Sequence, residues 1–269
     1  MFDGSGNRMI YARKYGKPPY SVVLVHGGPG APGSMAPVAR ELSQACGVIE
    51  HLESASTIDG QVRELLEDLQ EHGQLPVTLI GHSWGAWLVF IFAARYPEMV
   101  RKLILVSSGP FEERYAGGIM ETRLRRLSND ERHQVAALTT SLQNPDTKNK
   151  TSLFSLYGAL MSKADAFDPV PGDKKDVIEF QDNVYQDVWL EAARLRQSGE
   201  LLALAKDIRC PVLAIHGDYD PHPVEGVIVP LGMALKDFRF VLLEKCGHEP
   251  WKERAAKDRF YKILKDELR

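Results

Sequence analysis

Short apolar runs alternate with longer amphipathic segments along most of the chain, and this alternation restricts the possible folds. Residues 21–26 read Ser-Val-Val-Leu-Val-His and end at Gly27, a β-branched run typical of a buried strand. The same reasoning predicts further strands at residues 47–52, 77–80, 101–107, 211–216 and 238–243, with residues 11–15 as a candidate antiparallel edge. Each crossover is long enough to hold a helix. The sequence therefore predicts an α/β fold with a mostly parallel sheet flanked by helices.

Helices are predicted between these strands. Residues 57–72 carry apolar side chains at helical spacing and end at Gly73, which predicts an amphipathic helix. Further helices are predicted at residues 35–45, 86–95 and 251–268.

The pattern changes between residues 110 and 205, where no convincing strand occurs. Helical stretches are expected there around residues 115–127, 130–142, 152–163 and 173–197. We interpret residues 110–205 as a helical insertion, called the cap. Residues 1–109 and 206–269 then form the core of sheet and helices.

Composition excludes several classes of function. The formal net charge is −3, which gives no electrostatic reason to expect nucleic acid or an anionic membrane as a partner. The 3 cysteines do not form a disulfide framework, and the N-terminus lacks the apolar segment of a signal peptide. We expect a cytoplasmic protein, either a monomer or a homodimer, with a small-molecule or short-peptide substrate.

The segment Gly81-His82-Ser83-Trp84-Gly85 follows a predicted strand and opens a predicted helix. In this context the G-x-S-x-G pattern predicts a sharp turn that exposes a nucleophilic serine, Ser83. The helix N-terminus behind it supplies free N–H groups for a developing oxyanion.

A serine hydroxyl needs a base, and of the 8 histidines we favour His248. His248 lies in a short loop between the last strand and the last helix, whereas His222 lies in a proline-flanked loop. The acid that orients the base should follow the strand at residues 211–216. We favour Asp220 over Asp218, because the turn must advance past the strand before a carboxylate can reach the imidazole. The order Ser83, Asp220, His248 is that of one common triad architecture.

Two N–H groups should bind the oxyanion. One is that of Trp84, the residue after the nucleophile. The other should come from the glycine-rich loop after the first long strand, where we favour Gly28 and keep Gly27 as the alternative. Pro29 has no N–H to donate.

These motifs together resemble the α/β-hydrolase superfamily over the whole chain. His26-Gly27-Gly28-Pro29-Gly30 and Trp84 further resemble the proline iminopeptidase branch. The resemblance implies an eight-stranded type of sheet, a Ser83/Asp220/His248 triad, hydrolysis through an acyl-enzyme, and no metal or organic cofactor. The chain departs from that branch at position 82, where histidine replaces the usual glycine.

The resemblance leads to the hypothesis of a serine hydrolase that acts on a small ester, an amide or a peptide N-terminus. A peptidase would need cap carboxylates for the substrate ammonium, and Glu179 and Asp182 are our candidates. The alternatives are a carboxylesterase without peptidase activity and a non-catalytic small-molecule-binding protein of the same fold.

Overall fold

The strands of the described chain form one sheet. The computed structural model describes residues 12–29, 32–144, 146–148, 150–171 and 182–269; of residues 182, 183, 185 and 186 it describes the backbone alone. Within these residues the sheet has seven strands in the order β1-β3-β2-β4-β5-β6-β7. They are β1 (Ala12–Tyr15), β2 (Tyr20–Val25), β3 (Gly47–His51), β4 (Val77–His82), β5 (Val100–Val106), β6 (Val212–Gly217) and β7 (Phe238–Leu243).

The pairing of the strands agrees with the sequence. β1 is antiparallel to β3, and every other neighbouring pair is parallel. The predicted α/β fold with a mostly parallel sheet is confirmed. The resemblance implied a sheet of the eight-stranded type, and seven strands lie within the described residues.

Helices connect the strands and cover both faces of the sheet. They are α1 (Ala36–Leu42), α2 (Ile58–His72), α3 (Trp84–Arg95), α4 (Ile119–Arg125), α5 (Asn129–Gln143), α6 (Lys150–Asp165), α7 (Asp182–Ser198), α8 (Glu200–Ala203), α9 (Glu225–Ala234) and α10 (Lys257–Glu267). Short 3₁₀ turns lie at Pro97–Met99, Glu113–Tyr115, Leu204–Asp207 and Pro250–Lys252. No helix in the described part of the chain combines the length and apolarity needed to cross a bilayer.

Alternate residues of the central strands enter two separate hydrophobic clusters. On β2, Val23 and Val25 join the cluster that contains α2, α3 and α9, whereas Val22 and Leu24 join the cluster that contains α1 and α10. Because successive side chains of a strand point to opposite faces, the two clusters lie on the two faces of the sheet. This double burial explains why a central strand such as β2 is mainly apolar and does not alternate with polar residues.

The helix α3 is buried on every side, since all residues from Trp84 to Ala93 are inaccessible to solvent. The sheet covers one side of it. Val188 and Ala192 of α7 belong to the same hydrophobic cluster, and Trp189 stacks on Trp87 with ring centroids 6.0 Å apart and planes 4° from parallel. The segment predicted as the cap therefore shares a core with the sheet through α7.

Three helix predictions differ from the structure. The helix predicted at residues 115–127 is interrupted at Gly117 and Gly118 and begins at Ile119 as α4. The helix α9 was missed because Pro230 lies inside it and proline usually ends a helix. The last helix begins at Lys257, after the 3₁₀ turn that Pro250 starts.

The buried carboxylate of Glu253 joins the loop after β7 to the end of α6. Its Oε1 accepts hydrogen bonds from the backbone N–H groups of Gly247 (3.0 Å) and Phe167 (2.8 Å), and its Oε2 accepts one from Asp168 (2.8 Å). A Cβ at Gly247 would lie 2.1 Å from the Asp165 carbonyl oxygen, so the two segments are in direct contact. The conformation of this loop thus depends on the insertion as well as on the sheet.

We expect Glu253→Gln to lower the free energy of unfolding. An amide accepts hydrogen bonds at one oxygen only, so it leaves at least one of three buried N–H donors unpaired, at a cost of about 1–3 kcal/mol for each. Urea unfolding measures the loss. Hydrogen exchange at Gly247, Phe167 and Asp168 should locate it.

The matched control is Asp168→Asn at the same junction. The Asp168 carboxylate is half-exposed and pairs with Arg254 at 3.1 Å, so its loss should cost no more than about 1 kcal/mol. Equal losses in the two variants would show that the buried Glu253 carboxylate has no special part in this junction.

Candidate active site

The turn between β4 and α3 holds Ser83 in an unusual backbone conformation. Its φ is 54° and its ψ is −115°, a region that residues with a side chain rarely adopt. The Ser83 N–H donates to the carbonyl of Val106 (3.0 Å), which fixes the turn against β5. Ser83 therefore lies in a sharp turn at the carboxyl end of β4, where the nucleophile was predicted.

The two glycines that flank this turn are required by close backbone contacts. A Cβ at Gly81 would lie 2.2 Å from the Gly85 carbonyl oxygen, and a Cβ at Gly85 would lie 2.4 Å from the carbonyl oxygens of Val25 and His26. The helix α3 can thus start directly against β2. Close backbone packing therefore requires a glycine two residues before and two residues after Ser83.

Asp220 and His248 meet at the carboxyl ends of β6 and β7. His248 Nδ1 lies 2.7 Å from Asp220 Oδ2, and the Asp220 side chain is fully buried. Asp218, the alternative acid, is exposed and accepts a hydrogen bond from the Cys246 N–H (3.1 Å). The geometry therefore pairs His248 with Asp220.

Charge in this pair is set by burial and by the neighbouring rings. Burial opposes ionisation of Asp220, but the imidazoles of His248, His222 and His216 outweigh it and hold the carboxyl pKa well below its usual range. Burial also disfavours a charged His248, yet the Asp220 carboxylate outweighs it and raises the pKa of His248 above 6.5. Asp220 is thus a permanent anion that stabilises a protonated His248.

A second imidazole binds the same carboxylate. His222 places both its Nδ1 (2.7 Å) and its backbone N–H (2.9 Å) on Asp220 Oδ1. Its ring lies 4.6 Å from the His248 ring at an angle of 30°. His216 approaches Asp220 Oδ2 at 3.6 Å and its Nε2 donates to the His222 carbonyl (2.9 Å). The sequence favoured His248 over His222 as the base, and no spacing signal linked His222 to Asp220.

His82, the departure from the iminopeptidase pattern, holds the backbone of His248. Its Nε2 lies 2.9 Å from the His248 carbonyl oxygen, and the His248 N–H donates to the Asp165 carbonyl at the end of α6 (3.0 Å). Burial, together with the nearby His248, lowers the pKa of His82 well below 6.5, so this ring stays neutral. Both sides of the His248 peptide backbone are therefore fixed.

The candidate oxyanion donors lie beside Ser83. Trp84 is the first residue of α3, so its N–H has no acceptor within the helix. A Cβ at Gly27 would lie 3.0 Å from Ser83 Cβ, which places the glycine-rich loop against the turn. Gly28 has a φ of 53°, a left-handed conformation that favours glycine.

His26 orients the peptide that joins Gly27 to Gly28. The Glu53 N–H donates to His26 Nε2 (3.3 Å), so the ring proton lies on Nδ1, which donates to the Gly27 carbonyl (3.1 Å). Burial lowers the pKa of His26 to about 4, so this tautomer is neutral. In a trans peptide the N–H points opposite to the carbonyl, so the Gly28 N–H points away from His26. This orientation favours Gly28 over Gly27 as the donor, and the assignment stays a prediction.

Two arginines of the insertion lie near this edge. Arg123 makes two hydrogen bonds of 2.7 Å to the Asp165 carboxylate, and Arg126 lies 3.6 Å above the Tyr219 ring. The pairing of Arg123 with Asp165 holds this arginine, which is partly buried, against the end of α6.

The predicted ammonium-binding residues are not placed by the structure. Glu179 lies outside the described residues. Asp182 begins α7, and its side chain also lies outside the description. Both assignments stay predictions.

One group in the described chain has the spacing of metal ligands. Asp220, His222 and His248 offer ligand atoms within 4.8 Å of one another. Both Nδ1 atoms are already hydrogen bonded to the carboxylate, and a metal ion held by Nδ1 and the carboxylate would have to displace these contacts. We therefore interpret the group as an acid–base group.

Comparisons with known proteins agree with the fold. Among solved structures, the chain is similar to VinJ (TM-score 0.69, 20% identity, 96% of this chain and 93% of that one). It is also similar to the 2-hydroxy-6-oxo-6-phenylhexa-2,4-dienoate hydrolase of Rhodococcus sp. strain RHA1 (TM-score 0.62, 18% identity, 96% and 93%). At these identities the likeness shows the fold alone.

Curated relatives match over a shorter stretch. A cis-3-alkyl-4-alkyloxetan-2-one decarboxylase of Shewanella oneidensis is 27% identical over 122 residues, and a proline iminopeptidase of Lactobacillus helveticus is 34% identical over 116 residues. The two stretches cover 40% and 37% of this chain, respectively. They cover 37% and 38% of the relatives' own length, which is little more than a third. The family described as the alpha/beta hydrolase fold matches residues 20–255. The chain belongs to the α/β-hydrolase family.

Proposed function

We propose that this chain is a serine hydrolase in which Ser83 is the nucleophile, His248 the base and Asp220 the acid that orients it. The observation that carries the proposal is the 2.7 Å hydrogen bond between His248 Nδ1 and a fully buried, ionised Asp220. An ionised carboxylate only accepts hydrogen bonds, so it keeps the proton of neutral His248 on Nδ1 and leaves Nε2 as the base. A protein that only binds ligands needs no such arrangement.

The proposed reaction has two stages. In acylation, His248 Nε2 takes the Ser83 hydroxyl proton while Oγ bonds to the acyl carbon of the substrate. The resulting oxyanion lies between the N–H groups of Trp84 and Gly28, and the leaving group departs with the proton from His248. In deacylation, water repeats this sequence on the acyl-enzyme and releases the acid.

The charges near His248 favour a substrate without an ammonium group. Asp165, Asp220 and Glu253 each contact the segment that carries His248, and each carboxylate already has partners. Glu53 is fully buried, and burial together with Glu64 raises its pKa well above 4.5, which disfavours its charged form. A small neutral ester or amide is therefore the substrate class that the described residues support best.

An aminopeptidase is the second candidate function. It is favoured by the similarity to the proline iminopeptidase of Lactobacillus helveticus. In that case the ammonium group would need a carboxylate from the insertion, for which Glu179 and Asp182 are the candidates.

We expect Ser83→Ala to abolish covalent labelling by a fluorophosphonate probe. It should also lower kcat by a factor on the order of 10⁶, because no other group replaces the nucleophile. Asp220→Asn should lower kcat by about 10⁴ through the wrong tautomer of His248. Labelling followed by intact-mass analysis provides the test, and a Ser83→Ala protein that is still labelled would contradict the assignment. A folded wild type that binds ligand but is never labelled would favour the non-catalytic alternative.

The pH dependence of kcat/KM should show an acidic limb centred above pH 6.5. The base must be neutral to accept the Ser83 proton, and Asp220 raises the pKa of His248, so activity appears only as the pH rises through that higher value. NMR titration of His248 in Asp220→Asn should show a lower pKa than in the wild type. A limb at or below pH 6.5 would mean that the pair is not coupled as proposed.

A substrate panel separates the two candidate functions. We expect hydrolysis of p-nitrophenyl acetate and little hydrolysis of proline-β-naphthylamide. If the amide is hydrolysed, Glu179→Gln and Asp182→Asn identify the ammonium site. Loss of amide activity in one variant, with ester activity kept, would establish the aminopeptidase.

A further inference from the structure

The second imidazole on Asp220 has no part in the reaction described above. His222 is buried, and three contacts fix it: its Nδ1 and its backbone N–H bind Asp220 Oδ1, and its carbonyl accepts from His216 Nε2. Its ring cannot rotate without breaking a charge-assisted hydrogen bond. The ring of His222 is therefore held in one orientation next to the proposed base, His248.

The two rings are oriented alike relative to Asp220, which leaves the Nε2 lone pair of each ring unused. His222 and His248 both direct Nδ1 at one carboxylate, so in each ring Nε2 lies away from Asp220. Burial, aided by the nearby His248, lowers the pKa of His222 to about 4 even though Asp220 opposes this, so its Nε2 is unprotonated at neutral pH. Neither Nε2 atom is hydrogen bonded to another residue in the described chain.

The spacing of the rings fits one water molecule. Their centroids are 4.6 Å apart and their planes differ by 30°. One water oxygen with hydrogen bonds of about 2.8 Å can bridge two acceptors up to about 5.6 Å apart, so rings at this spacing are close enough to share a water. A pair of nitrogen acceptors at this distance is suited to a molecule with two donors.

We propose that His222 Nε2 and His248 Nε2 together bind the water that hydrolyses the acyl-enzyme, which makes His222 a second catalytic histidine specific to deacylation. This inference rests on the proposed function. The water donates one O–H to each nitrogen, which leaves an oxygen lone pair for the acyl carbon.

The step balances without any further reactant. The water oxygen bonds to the acyl carbon as His248 Nε2 takes one of its protons. The tetrahedral intermediate then collapses, the bond from the acyl carbon to Ser83 Oγ breaks, and Oγ takes the proton back from His248. His222 keeps its own protonation state throughout and accepts a hydrogen bond only. Acylation involves no water, so His222 should leave acylation largely unaffected.

Two substitutions test the roles of the two ring nitrogens of His222 separately. In His222→Asn the side-chain amide can occupy the position of Nδ1, so it can keep the hydrogen bond to Asp220 but has no group at Nε2. In His222→Gln the longer side chain can place its amide oxygen near the position of Nε2, so it keeps an acceptor for water. His133→Gln, on the exposed part of α5, is the control. Thermal unfolding of each variant establishes that it is folded.

The experiment measures acylation and deacylation separately with p-nitrophenyl acetate. The rate of the p-nitrophenolate burst reports acylation, the steady state reports deacylation, and intact mass shows whether the acyl-enzyme accumulates. We expect His222→Asn to slow deacylation by about 10–100-fold with acylation little changed, because a misplaced water reacts slowly. Hydroxylamine, a stronger nucleophile, should release the accumulated acyl group. His222→Gln should recover at least part of the deacylation rate.

Three results would overturn the inference. If His222→Asn slows both stages equally, His222 acts through Asp220 alone. His222 also acts through Asp220 alone if His222→Asn deacylates at the normal rate while His222→Gln does not. A wild type that is neither labelled nor active would overturn the proposed function and this inference with it, whereas an active wild type with either of the first two results would overturn this inference alone.

Discussion

The negative charge of Asp220 is the interaction on which the rest of the site depends. A carboxylate with no exposed side-chain surface would normally take up a proton, because burial penalises the charged form. Here the rings of His248, His222 and His216 surround it and keep it ionised. The same charge orders the rings of His248 and His222, since each of their Nδ1 protons is held on the side of the carboxylate. Charge and geometry are therefore maintained together, and neither would persist without the other.

A second buried carboxylate, that of Glu253, is stabilised in a different way. Its partners are backbone N–H groups from two segments that are distant in sequence, and it fixes the course of the chain. His82 adds a further constraint through the His248 carbonyl. The position of His248 is thus determined from three directions: the sheet, the turn that carries Ser83, and the end of α6. These contacts hold a loop residue in one defined position.

The parts of the molecule that could be predicted are those with a local signal. The apolar runs predicted the sheet because both of its faces are buried, and Gly81 and Gly85 marked a turn that only small residues allow. Asp220 could be preferred to Asp218 from the reach of the turn alone. Contacts between distant segments had no such signal. Nothing in the spacing linked Glu253 to Phe167 or Arg123 to Asp165, because these pairs depend on how the helices between β5 and β6 pack. His222 lies only two residues from Asp220, but their hydrogen bond depends on the conformation of that turn, which the sequence pattern did not specify.

The hydrogen bond from the His248 N–H to the Asp165 carbonyl has a consequence for how such a chain can change over evolution. Asp165 is the last residue of α6, and each residue of an α-helix turns the chain by about 100°. A deletion or insertion of one residue within α6 would rotate this carbonyl away from His248. The helical segment between β5 and β6 therefore cannot change in length independently of the position of His248. Tolerated changes in its length should fall before α6 or after Asp168, where the register of this carbonyl is unaffected.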